Sequence, residues 1–90
     1  MLTIMKNTIE TQVKQMLKDY LGEVAYKDCG EISAKSNLKY DLGMDSLDIC
    51  CMLMEVEKAY NFNLSADDEQ FLTVNPTIGN FVNVIYKNTK

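Results

Sequence analysis

Leu38-Lys39-Tyr40-Asp41-Leu42-Gly43-Met44-Asp45-Ser46-Leu47-Asp48 is the run that decides the fold, because it carries the start of the strongest helix in the chain. Asp45 can serve as N-cap, with Asp48 three residues on to complete a box-like start, and such a cap is worth about 1 kcal/mol. From there to Phe62 the apolar residues repeat at helical spacing. Ile49, Leu53, Val56 and Tyr60, with Met52 beside them, form one stripe, and Leu47, Cys50, Cys51 and Met54 form a second. A single helix in a small bundle rarely buries both, so one stripe is core and the other is free to meet a partner; the alternative is a central helix buried on most sides. Glu55, Glu57 and Lys58 keep part of its surface wet.

Upstream, Ile9, Val13, Met16, Leu17, Tyr20 and Leu21 recur at spacings of three and four, which predicts a helix that starts between positions 5 and 8 and ends at Gly22. Met5 and Met16 read as ordinary core filler. Residues 23–40 have no sustained periodicity. With Gly30, Ser33, Ser36 and Asn37 they read as a long loop pinned by Val24, Ile32 and Leu38, and loops of that length in compact domains are often functional. Downstream, a polar turn at 61–63 precedes Ser65, which can cap a brief helix with Asp67, Asp68 and Glu69 in its first turn and an end near Leu72. A last helix is expected to begin between Thr73 and Pro76, to present Ile78, Phe81, Val82 and Ile85 on one side, and to fray at 88–90. No strand-like alternation of useful length occurs. The expected fold is therefore all-α: a four-helix bundle with a long first loop and a short third helix, forming a single domain over residues 1–90.

Ninety residues leave room for one small core. No apolar run approaches the roughly 18 residues needed to cross a bilayer, and Lys6, Glu10, Lys14, Lys18 and Asp19 interrupt the first twenty positions, so no membrane insertion and a cytoplasmic location are expected. Cys29, Cys50 and Cys51 are an odd set without a CxxC spacing, which favours reduced thiols over disulfides or a metal site. Histidine is absent, and with it the usual general base near neutral pH, the Ser-His and Cys-His nucleophile pairs and the commonest zinc ligand. A non-catalytic protein follows as the expectation. Charge is uneven: residues 41–69 hold eight acids against Lys58 alone, a net −7, while the rest of the chain carries +3. Such a surface repels nucleic-acid phosphates and anionic membranes and steers basic protein partners towards it. Arginine is also absent, which weakens a nucleic-acid role further.

The run Asp41-Leu42-Gly43-Met44-Asp45-Ser46-Leu47 resembles the modification site of acyl carrier proteins, whose signature is an Asp-Leu-Gly-x-Asp-Ser-Leu core. The likeness extends outward from about Ile9 to Ile85. It implies an acyl-carrier-type bundle in which Ser46 receives a 4′-phosphopantetheine arm from coenzyme A, the arm's thiol carrying acyl groups as thioesters. A phosphodiester at a helix N-terminus sits against unsatisfied N–H groups, and Gly43 lets the chain turn so that the hydroxyl is left at an accessible corner. The resemblance also implies that Asp45 helps position the modifying phosphopantetheinyl transferase and its metal. It makes Asp41, Asp45, Asp48, Glu55 and Glu57 the electrostatic contacts, and Leu47, Cys50, Cys51 and Met54 the apolar part, of a docking face for acyl-transfer, ligase or synthase enzymes with basic patches. The expected protein is a discrete monomeric carrier in fatty-acid, polyketide or related specialised biosynthesis. Common fatty-acid carriers usually have an acid in place of Cys51 and often one in place of Lys39 or Tyr40, departures that a specialised pathway would tolerate. The competing reading is an acidic helical docking or regulatory module that is never modified, with Ser46 a plain helix-cap hydroxyl.

Overall fold

In the computed structural model, which describes residues 5–89, five helices follow one another: α1 (Lys6–Leu21), α2 (Glu23–Asp28), α3 (Ser46–Tyr60), α4 (Ala66–Val74) and α5 (Ile78–Thr89). The stripe of α1 buries Ile9, Val13 and Leu17, with Met16 and Leu21 half-covered beside them. It packs chiefly against α5, the most amphipathic helix, which buries Ile78, Phe81, Val82, Val84 and Ile85. α3 contributes Ile49, Met52, Leu53 and Val56 to the same core, and α4 adds Leu72. Met5 is exposed, so of the two methionines read as filler only Met16 reaches the core's edge.

The expected all-α bundle is present, with one addition and four shifted boundaries, the first being α3, which ends at Tyr60 and not at Phe62 because Asn61 turns left-handed (φ +54°). The connection read as loop from Glu23 opens with α2, so the described residues form four main helices and a short fifth. Gly22, at φ +91°, ends α1 by donating its N–H to Lys18 O (2.9 Å) and then accepts from Tyr26 N (3.0 Å), which starts the next helix at once. Six residues are too few to show a periodic stripe, and α2 buries none of them fully; Tyr26, half-buried, is its contact with the core. Val24, expected to pin this segment, is instead 75% exposed. α4 runs two residues beyond Leu72, and α5 starts at Ile78, after Pro76, with Thr77 Oγ1 accepting from Asn80 N (3.1 Å). At the far end Asn88 and Thr89 do not fray: their side chains donate back to Val84 O and Ile85 O, each at 2.8 Å. Lys90 lies outside the described residues.

The remaining loop is held mainly by main-chain bonds to the entrance of α5. Leu38 N donates to Pro76 O (2.7 Å), Ile78 N to Ser36 O (3.1 Å) and Gly79 N to Ala34 O (2.8 Å), around an isolated antiparallel bridge between Asn37 and Thr77. A Cβ on Gly79 would lie 3.0 Å from Ala34 O, so a residue without a side chain lets the two backbones meet. Leu38, fully buried, and Ile32, half-buried, supply the apolar anchors that the sequence assigned to them.

Candidate functional site

The loop delivers the chain to α3 through a knotted turn. Asn37 O accepts from both Asp41 N (2.8 Å) and Leu42 N (3.2 Å), while Asn37 Oδ1 accepts from Lys39 N (2.8 Å) and Tyr40 N (3.1 Å). Asp41 Oδ2 returns the favour by accepting from Asn37 N at 2.7 Å. Leu42 and Met44 point into the core on either side of Gly43, whose φ of +71° reverses the chain between them. Met44 N then donates to Leu38 O (2.9 Å), fixing the last residue before the cap.

Asp45 sits in extended geometry (φ −96°, ψ −177°), and its Oδ1 accepts from Asp48 N at 2.9 Å while Asp48 Oδ2 accepts from Asp45 N at 3.1 Å. This is the reciprocal capping box expected from the sequence. Ser46 is therefore the first helical residue rather than the cap. It is exposed, and its hydroxyl makes no hydrogen bond among the described residues. The N–H groups of Ser46 and Leu47, in the first two helical positions, have no acceptor within the helix and form part of the positive end of its dipole. A free hydroxyl, open on the surface and next to unsatisfied donors, suits a phosphate-linked group.

Asp48 has a second partner that the spacing of residues did not reveal. Tyr20, 28 residues earlier in the last turn of α1, donates its hydroxyl to Asp48 Oδ1 at 2.5 Å. This bond, with the N–H of Asp45, holds the Asp48 carboxyl below its ordinary range, because both favour the charged form. The same bond pushes the Tyr20 phenol far above its ordinary value, with burial and the neighbouring Cys51 acting in the same direction. The sequence placed Tyr20 on the core face, but the ring is 41% exposed and lies at the stripe's edge. A phenol at such an edge needs a polar partner, which is the signal that could have singled it out. Tyr60 makes a matching bridge in the last turn of α3, its hydroxyl donating to Gln12 Oε1 of α1, so a tyrosine links the two helices at each end of their seam.

The second stripe of α3 is uncovered. Leu47 is 72% and Met54 61% exposed, Cys50 is exposed and Cys51 half-buried, so all four face outward to different degrees. Beside them a groove of about 390 Å³ runs between α1 and α3, lined by Met16, Asp19, Tyr20, Cys51, Met54 and Glu55. A smaller one of about 180 Å³ separates α3 from α4. Four of the five carboxylates expected on this face also hold a backbone N–H: Asp41 that of Asn37, Asp45 that of Asp48, Asp48 that of Asp45, and Glu57 that of Leu64 at 2.8 Å. Glu55, exposed, makes no such bond among the described residues. Among the described residues no group of side chains could hold a metal ion, and no helix is long and apolar enough to cross a membrane.

A family model described as the phosphopantetheine attachment site matches residues 12–85. An acyl carrier protein of Chlamydia caviae is 35% identical over 72 residues, covering 79% of this chain and 88% of that protein. One of an Exiguobacterium species is 32% identical over 77 residues, covering 86% and 89%, and one of Porphyromonas gingivalis is 30% identical over 80 residues, covering 89% and 99%. No solved structure matches the chain significantly.

Proposed function

The chain belongs to the acyl carrier proteins, the family of the phosphopantetheine attachment site, and on that premise we propose that Ser46 is the attachment residue of a discrete, single-domain cytoplasmic monomer. Members of this family carry acyl groups and are not themselves catalysts. The observation that carries the assignment is the position of Ser46: first in α3, exposed, its hydroxyl unbonded among the described residues, on a turn fixed by its neighbours. When bound, the arm supplies a thiol that holds an acyl group as a thioester. The protein's own part is to keep the serine in reach of a transferase, to set the phosphate against the N–H groups of Ser46 and Leu47, and to present a face to successive enzymes.

We assign that face to the outward stripe of α3, with Leu47, Cys50, Cys51 and Met54 as its apolar floor and Glu55 as the acid that no backbone bond among the described residues occupies. Asp41, Asp45, Asp48 and Glu57 lend charge to the same surface while bracing it. The partners are enzymes with basic docking patches, working on fatty-acid, polyketide or related intermediates.

The test is to incubate the unmodified protein with coenzyme A and a broad-specificity phosphopantetheinyl transferase and to weigh it. The wild type gains the mass of one arm, and Ser46→Ala gains none. An unmodified wild type, or a mass gain that survives Ser46→Ala, overturns the assignment and leaves an acidic docking module in its place. In the same assay Glu55→Lys raises KM about two- to fivefold at low salt and less at high salt; equal effects at both would remove Glu55 from the docking face.

A further inference from the structure

We propose that Tyr20 is a positioning residue for arm attachment: from the last turn of α1 its hydroxyl holds Asp48, and through Asp48 the capping turn that presents Ser46. The inference rests on the assignment of Ser46 and adds to it a residue from a different helix.

The turn has three restraints. On the chain's entry side, Met44 is buried and bonded to Leu38 O. Within the turn, Asp45 and Asp48 grip each other's N–H groups across Ser46 and Leu47. The third restraint is Tyr20, which takes the Asp48 oxygen that the capping box leaves over. A carboxylate held through one oxygen can swing about its side-chain torsions, whereas one held through both is fixed in plane as well as in position. Tyr20 can act in this way because its own helix is anchored: Leu17, one turn earlier, is fully buried, and Gly22 closes the helix end on Lys18 O. The hydroxyl thus ties an exposed turn to a rigid rod that approaches it from 28 residues away. Without that bond Asp45 still caps α3, but the serine it flanks samples more orientations, and fewer of them are productive for transfer.

Tyr20→Phe keeps the ring and removes only the hydroxyl, at a partly exposed site where folding survives the change. In steady-state arm transfer from coenzyme A, kcat falls about three- to tenfold, the range set by loss of one ordinary hydrogen bond, while KM for the carrier stays within about twofold. In the unmodified protein, amide exchange at Asp45, whose N–H is donated to the Asp48 carboxylate, quickens by a similar factor, and the mid-helix amides of α3 keep their protection. Three results would overturn the proposal. An unchanged kcat with a lowered melting temperature makes Tyr20 structural only. A raised KM with unchanged kcat makes it part of the docking face. Unaltered exchange at Asp45 removes the mechanism itself. A wild type that takes up no arm overturns the Ser46 assignment and the role of Tyr20 with it, and is told apart from the other outcomes because it appears before any substitution is made.

Discussion

α3 and α4 begin on the same plan and differ by one residue in where the serine stands. In α4 the serine is the cap: Ser65 Oγ accepts from Asp68 N at 3.1 Å, so the hydroxyl is occupied by its own helix. In α3 the cap is Asp45, and the serine has moved one place inward, where its hydroxyl has no partner among the described residues. In both helices the acid at the third helical position is gripped from another helix. Asp48 is held by the neutral hydroxyl of Tyr20 at 2.5 Å and Asp68 by the cationic Lys87 Nζ at 2.8 Å. The difference teaches that a serine at a helix start is available for chemistry only when something else does the capping, and that residue type alone does not separate the two cases.

The most severe way to break the comparison is to exchange the register. In a variant carrying Asp45→Ser with Ser46→Asp, α3 keeps a competent cap and the turn keeps a serine, yet arm transfer falls by about a hundredfold or more, because the hydroxyl is displaced and engaged. Transfer at the wild-type rate in this variant, followed by mass spectrometry, would show that register is irrelevant. A smaller effect separates the two caps. Asp45→Ala and Ser65→Ala each lower unfolding stability by about 1 kcal/mol in urea titrations, but Ser65→Ala leaves arm transfer within about twofold of wild type. If Ser65→Ala slows transfer as much as Asp45→Ala does, the two starts are not functionally distinct.

The smallest effect concerns acid. Asp48 and Asp68 are both held below the ordinary carboxylate range when folded, the first chiefly by Tyr20 and the second chiefly by Lys87. A carboxylate depressed on folding lends stability above its unfolded pKa and loses it as pH falls through the folded value. Tyr20→Phe should move the Asp48 titration upward, and Lys87→Met the Asp68 titration, each followed by carbon NMR of the carboxyl. The Lys87 effect shrinks in high salt and that of the uncharged Tyr20 does not. Salt dependence in the reverse order would contradict the two modes of grip.

Much of this was legible in the sequence, for reasons that also mark where legibility stops. The capping box was readable because both partners lie within four residues, and the two stripes of α3 because fifteen residues give the period room to repeat. The exposed stripe, Leu47 to Met54, was legible as a surplus over what one helix can bury. α2 was not, since six residues do not complete two turns and its only contact with the core is the partial burial of Tyr26. Val24 misled for a related reason: a lone apolar residue in an aperiodic stretch carries no direction, and its neighbour two places on took the inward position. The long-range bonds of Tyr20 to Asp48 and Tyr60 to Gln12 depend on how α1 lies beside α3, which no local spacing encodes. The double duty of Asp41 and Glu57 was hidden likewise, because an acid bracing an amide and an acid awaiting a cation are spelled with the same letter.

The stitching of 34–38 onto 76–79 bears on how such a molecule can change over time. Since those links join main-chain atoms, the outward side chains of Lys35, Lys39 and Tyr40 contribute nothing to them, and all three are exposed near the entrance to the serine-bearing turn. Mutation can rewrite that rim, trading a lysine for an acid or a tyrosine for a small residue, while the scaffold beneath stays in place. A lineage could in this way acquire new clients by altering its outer margin alone, at little risk to folding.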